Sequence, residues 1–224
     1  AKCPITVVPN GVNIGKFKVQ NEKLKETTKN FKTIITTSRL VKKNGVDTLI
    51  ESLKFLPENV KLQILGTGQE EMSLRQLMSR HRLDSRVEFL GHVAPDKVAE
   101  YLVQADIFAR PSRSEGLGNS FLEAMAAGVP TIGTPVGGIP DFLQGDTLAG
   151  SKVSPLIQTG LPRQQTGWLC EVNNAKSIAE KVQYILDPVN AEKVARVREQ
   201  AKKLVTEGYD WARIANEMSK LLLL

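Results

Sequence analysis

Hydrophobic and polar positions along this chain follow two alternating periods. Thr33-Ile34-Ile35-Thr36-Thr37 is an unbroken, largely β-branched run and predicts a buried strand. Lys61 to Leu65, Val87 to Leu90, Ile107 to Ala109 and Thr131 to Thr134 predict further short strands, with one more around Trp168 to Val172. Between them, helices are expected over Val46 to Phe55, Glu70 to His81 and Asp96 to Gln104, and from a cap at Asn119 or Ser120 to about Ala127, where Gly128-Val129-Pro130 stops the last. Three helices then close the chain, over Ala175 to Leu186, Ala191 to Glu207 and Trp211 to Leu224. The final one sets Trp211, Ile214, Met218 and Leu221 or Leu222 on one face. Strands alternating with helices at this spacing mean βαβ units, an α/β fold with a parallel sheet and helices on both of its faces. Ile5 to Val8 reads as a short strand or the exit of a linker, and Lys16 to Lys32 as a charged segment, partly helical at best. Residues 143–166 are polar, rich in Gly and Pro, and longer than most connections in a compact domain. They read as a loop insertion, either a surface loop or a lid.

In an open parallel sheet, ligands bind beyond the C-terminal strand ends. Arg39, Gly66 to Gly68, Gly91 to Val93 and Glu115 to Gly118 each follow a predicted strand closely, so all fall on one edge. The richest stretch runs from Pro111 to Pro140, PSRSEGLGNSFLEAMAAGVPTIGTPVGGIP. A strand, a glycine turn and a helix N-terminus make an anion site, because the first helical amides have no internal partner. Glycines at 116 and 118 let a ligand approach the backbone closely. Glu115 and Glu123, with seven residues between them, can accept hydrogen bonds from sugar hydroxyls while the amides face phosphate. Phosphate plus polyol is the chemistry of a nucleotide-sugar. Plainer readings stand beside this one. Ser120 and Glu123 fit a capping box, Glu115 fits a solvated loop carboxylate, Arg39 a surface ion pair, and Gly116 and Gly118 ordinary turn residues. Gly66-Thr67-Gly68 is a poor dinucleotide fingerprint, since Glu71 stands where a third glycine belongs.

Composition narrows the classes. A chain of 224 residues is most simply one domain with a full core, and 41% hydrophobic residues is ordinary for a globular protein. No apolar run is long enough to span a bilayer, and the N-terminus lacks the apolar stretch of a signal peptide. The chain opens on Ala1-Lys2-Cys3-Pro4 without an initiator Met, which suggests a processed or excised segment. The net charge of +6 is concentrated between Lys16 and Lys43, and only 5% of residues are aromatic. That pattern fits a solvated basic face or an attraction for phosphorylated substrate better than a nucleic-acid surface. Cys3 and Cys170 are far apart and read as free thiols in a reducing, cytoplasmic compartment. With His81 and His92 the only histidines and no Asp-x-Asp pair, neither a structural nor a catalytic metal is expected.

The Glu115-Gly116-Leu117-Gly118 segment, followed by Phe121-Leu122-Glu123-Ala124-Met125-Ala126-Ala127-Gly128-Val129-Pro130, resembles the E-x7-E signature of glycosyltransferase family four. These are retaining, nucleotide-sugar-dependent group 1 enzymes of the GT-B fold. Pro9-Asn10-Gly11-Val12, Ser38-Arg39-Leu40, Leu65-Gly66-Thr67-Gly68, Val87-Glu88-Phe89-Leu90-Gly91 and Thr166-Gly167-Trp168-Leu169 fit the same family in the same order. The resemblance implies a Rossmann-like domain, one half of a GT-B fold, over residues 16–210. Residues 1–15 would form the linker or first strand, and residues 211–224 a helix crossing to an absent N-terminal acceptor domain. It implies Arg39 and Glu115 as catalytic residues, and Lys43 is expected to act with them by reaching in from beside the position of the family's lysine. It also implies donor contacts from Asn44, Gly66, Gly68, His92, Val93, Gly116, Leu117, Gly118, Asn119, Ser120 and Glu123. Within these, Glu115 would hold donor-sugar hydroxyls, Glu123 the ribose, and His92 and Val93 the base. The expected substrate is a nucleotide-diphosphate sugar, used without a metal cofactor, and the full-length enzyme would sit in the cytoplasm or peripherally on the inner face of a membrane. The chain alone should bind nucleotide and transfer nothing. One departure stands out. The family usually carries lysine where this chain has Asn44, preceded by Lys43. Asn119 is a lesser one, at a position more often aliphatic. A sugar epimerase of the same architecture and a non-catalytic binding module remain alternatives.

Overall fold

A computed structural model of the chain describes residues 8–17, 30–145 and 164–222. Ile5 to Val7 of the predicted first strand, most of the early charged segment, Cys3, and residues 146–163 of the long loop lie outside the described residues.

Six parallel strands form one sheet: β1 (Lys32–Thr37), β2 (Val60–Leu65), β3 (Val87–Gly91), β4 (Ile107–Arg110), β5 (Thr131–Gly133) and β6 (Trp168–Leu169). Their order across the sheet is β3-β2-β1-β4-β5-β6. The chain therefore builds outward from β1 in one direction, then returns and builds outward from β4 in the other. β1 is the central strand, with Ile34 registered against Leu62 on one side and Ile107 on the other. The helices are α1 (Val46–Ser52), α2 (Glu71–Arg80), α3 (Val98–Gln104), α4 (Asn119–Ala126), α5 (Ile139–Phe142), α6 (Ala175–Leu186), α7 (Ala191–Gly208) and α8 (Trp211–Leu222). Short 3₁₀ turns occupy Lys42–Asn44, Leu53–Phe55 and Pro188–Asn190.

The period-two rule explains the two cores. Ile34, Leu62, Ile64, Ile107 and Ala109 point to the face covered by α1, α2 and α6, where they meet Leu49, Ile50, Leu74, Ile178 and Val182. Their neighbours Ile35, Leu65 and Phe108 point to the other face, against Phe121, Leu122 and Met125 of α4 and Val205 of α7. Four aromatic rings run through this second core, Phe108, Phe121, Phe142 and Tyr209, with successive centroids 5.4, 5.9 and 6.3 Å apart.

The start of the described chain belongs to this second core as well. Val12, Ile14 and Phe17 are buried in it, and Val12 forms a parallel bridge with Asp210. Its amide donates to the Tyr209 carbonyl at 2.7 Å, and the Trp211 amide donates to its carbonyl at 3.1 Å. On α8 only Ile214 is buried, while Trp211, Met218, Leu221 and Leu222 stay exposed. No helix among the described residues is long and apolar enough to cross a membrane.

Candidate functional site

Because every strand is parallel, all C-terminal strand ends share one edge, and the fold reverses direction there between β1 and β4. The loop after β1 carries Arg39 and the Lys42–Asn44 turn, and the loop after β4 carries Glu115 and the Gly116–Gly118 bend. These two loops flank the switch point, where sheets of this kind place their ligand crevice. Arg39 and Gly116–Gly118 thus stand at the same edge.

Arg39 is exposed, and its guanidinium makes no hydrogen bond or ion pair among the described residues. The surface ion pair considered from sequence is not formed. Lys43 is also exposed. Asn44 differs from both. It is only 2% exposed, its Nδ2 donates to the Arg39 carbonyl at 2.6 Å, and its Oδ1 accepts from Arg110 Nη2 at 3.0 Å. Its side chain is spent on holding the loop.

Gly45, Gly66 and Gly68 have a clear steric reason. A Cβ on Gly45 would lie 2.0 Å from the Pro111 carbonyl oxygen, one on Gly66 1.9 Å from that of Ser38, and one on Gly68 2.3 Å from that of Leu40. The loops after β1, β2 and β4 are pressed flush, and only glycine permits it. Gly66 and Gly68 therefore line the wall beside Arg39 while serving this contact. His92 is exposed and Val93 half-buried beyond Gly91, at the end of β3, the outermost strand on that side.

The centre of the crevice is Arg110, a residue the sequence reading leaves out because it ends the strand at Ala109. Arg110 is the last residue of β4 and is 8% exposed. Its Nη1 donates to Ser120 Oγ at 2.7 Å, and its Nη2 donates to Asn44 Oδ1 and to Glu115 Oε2. Its Nε is buried and has no hydrogen-bond partner among the described residues. Other buried polar atoms without a partner cluster at the same strand ends: the hydroxyls of Thr36, Thr37, Ser38 and Ser112. Burial lowers the Arg110 pKa, the Glu115 carboxylate opposes that shift, and the nearby positive charge of Arg39 adds to it. The signal in the sequence is a charged residue closing an apolar strand, which must find a partner if it is buried. The partners are far off in sequence.

Glu115 is thus an ion-paired carboxylate, its side chain 10% exposed, and not the solvated loop residue of the plainer reading. Its Oε1 accepts from the Gly116 amide at 3.1 Å. The turn after β5 buttresses it from behind. The Gly138 amide donates to the Gly116 carbonyl at 2.8 Å, and a Cβ on Gly137, where φ is 56°, would lie 1.7 Å from the Glu115 carbonyl oxygen. Neither glycine was singled out from sequence. Arg113 ties the same loop to the other wall. Its amide donates to the Lys43 carbonyl at 2.7 Å, and its Nη2 meets Asp47 at 2.8 Å.

The start of α4 corrects the capping expectations. The cap is Gly118, in a left-handed conformation at φ 76°, and not Asn119 or Ser120. The capping box is not formed, because Ser120 Oγ is taken by Arg110 and the Glu123 carboxylate makes no hydrogen bond among the described residues. A tertiary partner has won over a local one. The amides of Leu117, Gly118, Asn119 and Ser120 have no partner among the described residues, so the helix presents an open N-terminus beside Arg39's loop. Glu123 is half-buried one turn further on. Burial raises its pKa, against the charge of Lys16.

A depression of about 300 Å³ lies at the opposite edge of the sheet. It is lined by Lys32, Asp106, Gly128 and Arg198 among others, but these charges are already engaged. Lys32 pairs with Asp106 at 3.2 Å, and Arg198 Nε donates to the Gly128 carbonyl at 2.6 Å. No group of three or more His, Cys, Asp or Glu suited to a metal ion occurs among the described residues.

The pattern of the family described as "Glycosyl transferases group 1" matches residues 18–204. The putative colanic acid biosynthesis glycosyltransferase WcaL of Escherichia coli is 28% identical over 232 residues, covering 98% of this chain and 52% of that protein. The N-acetyl-alpha-D-glucosaminyl L-malate synthase of Bacillus anthracis is 32% identical over 189 residues, covering 83% of this chain and 44% of that protein. Among solved structures, Anabaena Alr3699/HepE in complex with UDP and glucose superposes with a TM-score of 0.79 at 22% identity, over 97% of this chain and 56% of that one. The C-terminal domain of a group 1 family protein (LpcC) from Francisella tularensis gives 0.65 at 23% identity, over 90% of this chain and all of that domain. The chain thus spans about half the length of these curated relatives, and its sheet and helices are those of a GT-B glycosyltransferase domain.

Proposed function

The chain belongs to the group 1 glycosyl transferases, and from that premise we propose that it is the donor-binding half of a two-domain glycosyltransferase. It holds the diphosphate of a nucleotide-sugar in the crevice between the β1 and β4 loops. The observation that carries this reading is the pairing of an unengaged guanidinium with unengaged amides. Arg39 and the start of α4 stand at one edge, linked through Asn44, Arg110 and Ser120. Displacing a nucleoside diphosphate from an anomeric carbon builds negative charge on the leaving phosphate. A preorganised fork and fixed backbone dipoles stabilise that charge without reorganising as it forms.

Lys43 supplies a second, mobile cation from the same turn, since Asn44 faces inward. Glu115 retains free lone pairs after its two protein contacts and accepts hydroxyls of the sugar. Glu123, held half-buried on α4, accepts those of the ribose. Complexes of the Anabaena protein with UDP and with UDP-glucose support the choice of ligand class. The full match to an isolated C-terminal domain supports the division into halves. The exposed apolar face of α8, Trp211, Met218, Leu221 and Leu222, is then covered by the other half, and the isolated chain transfers no sugar.

Isothermal titration of this chain with UDP, GDP and ADP tests the reading. One of the three is expected to bind saturably, with Arg39→Ala abolishing detectable binding and Lys43→Ala weakening it in part. Silence from all three with a folded chain would favour a non-catalytic module instead.

A further inference from the structure

A carboxylate that accepts the hydroxyls of the sugar is a liability to the diphosphate beside it, yet Glu115 is held in the middle of the wall. Its position is not free to change. Both oxygens are engaged by the protein, and the turn at Gly137 and Gly138 locks the backbone behind it. A buried carboxylate and an anionic ligand in one crevice repel each other unless a cation stands between or beneath them. Arg39 is not that cation, since it makes no ion pair among the described residues and is left for the ligand. Lys43 is exposed and makes no ion pair among the described residues. Arg110 is the only basic side chain with an ion pair to Glu115 among the described residues, and it is buried beneath both loops.

We infer that Arg110 is a positioning residue whose main task is to neutralise and orient Glu115, so that a carboxylate and a diphosphate can occupy the same crevice. The inference rests on the reading of this edge as a nucleoside-diphosphate site. The neutral contacts of Arg110 fit the role. By donating to Asn44 and Ser120 it fixes the guanidinium between the two loops without cancelling its charge on any acid other than Glu115. An arginine is suited to this place because its charge survives burial and its fork bonds three partners at once.

A simple structural rivet would make the same hydrogen bonds, so the test must separate charge from scaffolding. The probe is whichever of UDP, GDP and ADP the unaltered chain binds, measured by calorimetry. Arg110→Met leaves Glu115 unneutralised, and affinity is expected to fall about tenfold or more, the order of one unit charge acting through several ångströms of protein. Adding Glu115→Gln to that variant removes the stranded charge and should restore most of the lost affinity. A rivet predicts the reverse, since the double variant has fewer contacts still. Arg110→Gln, which keeps hydrogen bonding without charge, serves where Arg110→Met does not fold, and its loss should likewise be recovered with Glu115→Gln. Unchanged affinity in Arg110→Met, or no recovery in a folded double variant, overturns the inference while leaving the diphosphate site standing. Failure of the unaltered chain to bind any of the three overturns the site itself, and this inference with it.

Discussion

Two arginines among the described residues are buried at strand ends of the sheet, and they are held in opposite ways. Arg86, 5% exposed, gives its guanidinium to backbone: Nε to the Val60 carbonyl at 3.1 Å, and Nη2 to those of Leu56 and Pro57 at 3.2 and 2.8 Å. Its one carboxylate neighbour, Glu58, is 3.6 Å away and 91% exposed. Arg110 gives its guanidinium to side chains, one of them a buried carboxylate, and leaves Nε without a hydrogen-bond partner among the described residues. Carbonyls cannot titrate or turn away, so Arg86 is a fixed staple between β2 and the turn before it. Side-chain partners can exchange contacts when a ligand arrives. A buried arginine is therefore read by what it holds, and only the second kind marks a site.

Substitutions should pull these two roles apart. Arg86→Ala removes three hydrogen bonds to carbonyls at once, leaving the Pro57 carbonyl with only the Val60 amide, and should cost about 3 kcal/mol in chemical denaturation, with nucleotide affinity of the folded fraction unchanged. A stable Arg86→Ala that binds poorly would erase the distinction. Gly137→Ala should come next, at about 2 kcal/mol, because it combines a left-handed φ of 56° with a contact of 1.7 Å to the Glu115 carbonyl oxygen. It should also weaken nucleotide binding, since the strain falls on the backbone that leads into the Gly116–Gly118 bend. Normal binding in that variant would show that the buttress is dispensable.

Glu123 offers a pH test. Burial raises its folded pKa above the ordinary 4.5, so the folded chain holds this proton more tightly than the unfolded chain does. The contribution to stability is present below that ordinary value and is lost as pH rises toward the raised one. Glu123→Gln should therefore raise the melting temperature at pH 7 and flatten its decline from acid to neutral, while weakening nucleotide binding. A lower melting temperature at pH 7 would mean the carboxylate makes a stabilising contact. The smallest effect belongs to Cys170. It is 1% exposed and its thiol is pushed up to about 12 by burial, so a thiol–disulfide reagent should label it only on unfolding. Rapid labelling of the native chain would contradict its place in the core.

The elements were largely legible in the sequence, because β-branched runs and helical spacing are local signals. The central strand predicted over Thr33 to Thr37 appears at Lys32–Thr37, and the helix predicted over Ala175 to Leu186 appears with those bounds. Since parallel strands align their ends, the shared edge of Arg39 and Glu115 was legible too. What was not legible depended on partners distant along the chain. Arg110 acquires its meaning from Asn44, 66 residues away. The pattern Ser120 to Glu123 obeyed the local rule for a capping box, and that rule lost to the same arginine. Helix α5, four residues long at Ile139–Phe142, is too short to carry a period. The predicted strand over Trp168 to Val172 shrinks to Trp168–Leu169, since only those residues pair with β5.

In the proposed function an unengaged guanidinium and unengaged helix amides at one sheet edge receive a diphosphate. Amide and arginine-side-chain NMR of the chain, titrated with the nucleoside diphosphate it binds, tests this most directly. The Arg39 Nε–H signal and the amides of Gly116 to Ser120 should shift together and saturate at one equivalent. Shifts confined instead to the opposite edge, at Lys32, Gly128 and Arg198, would contradict it.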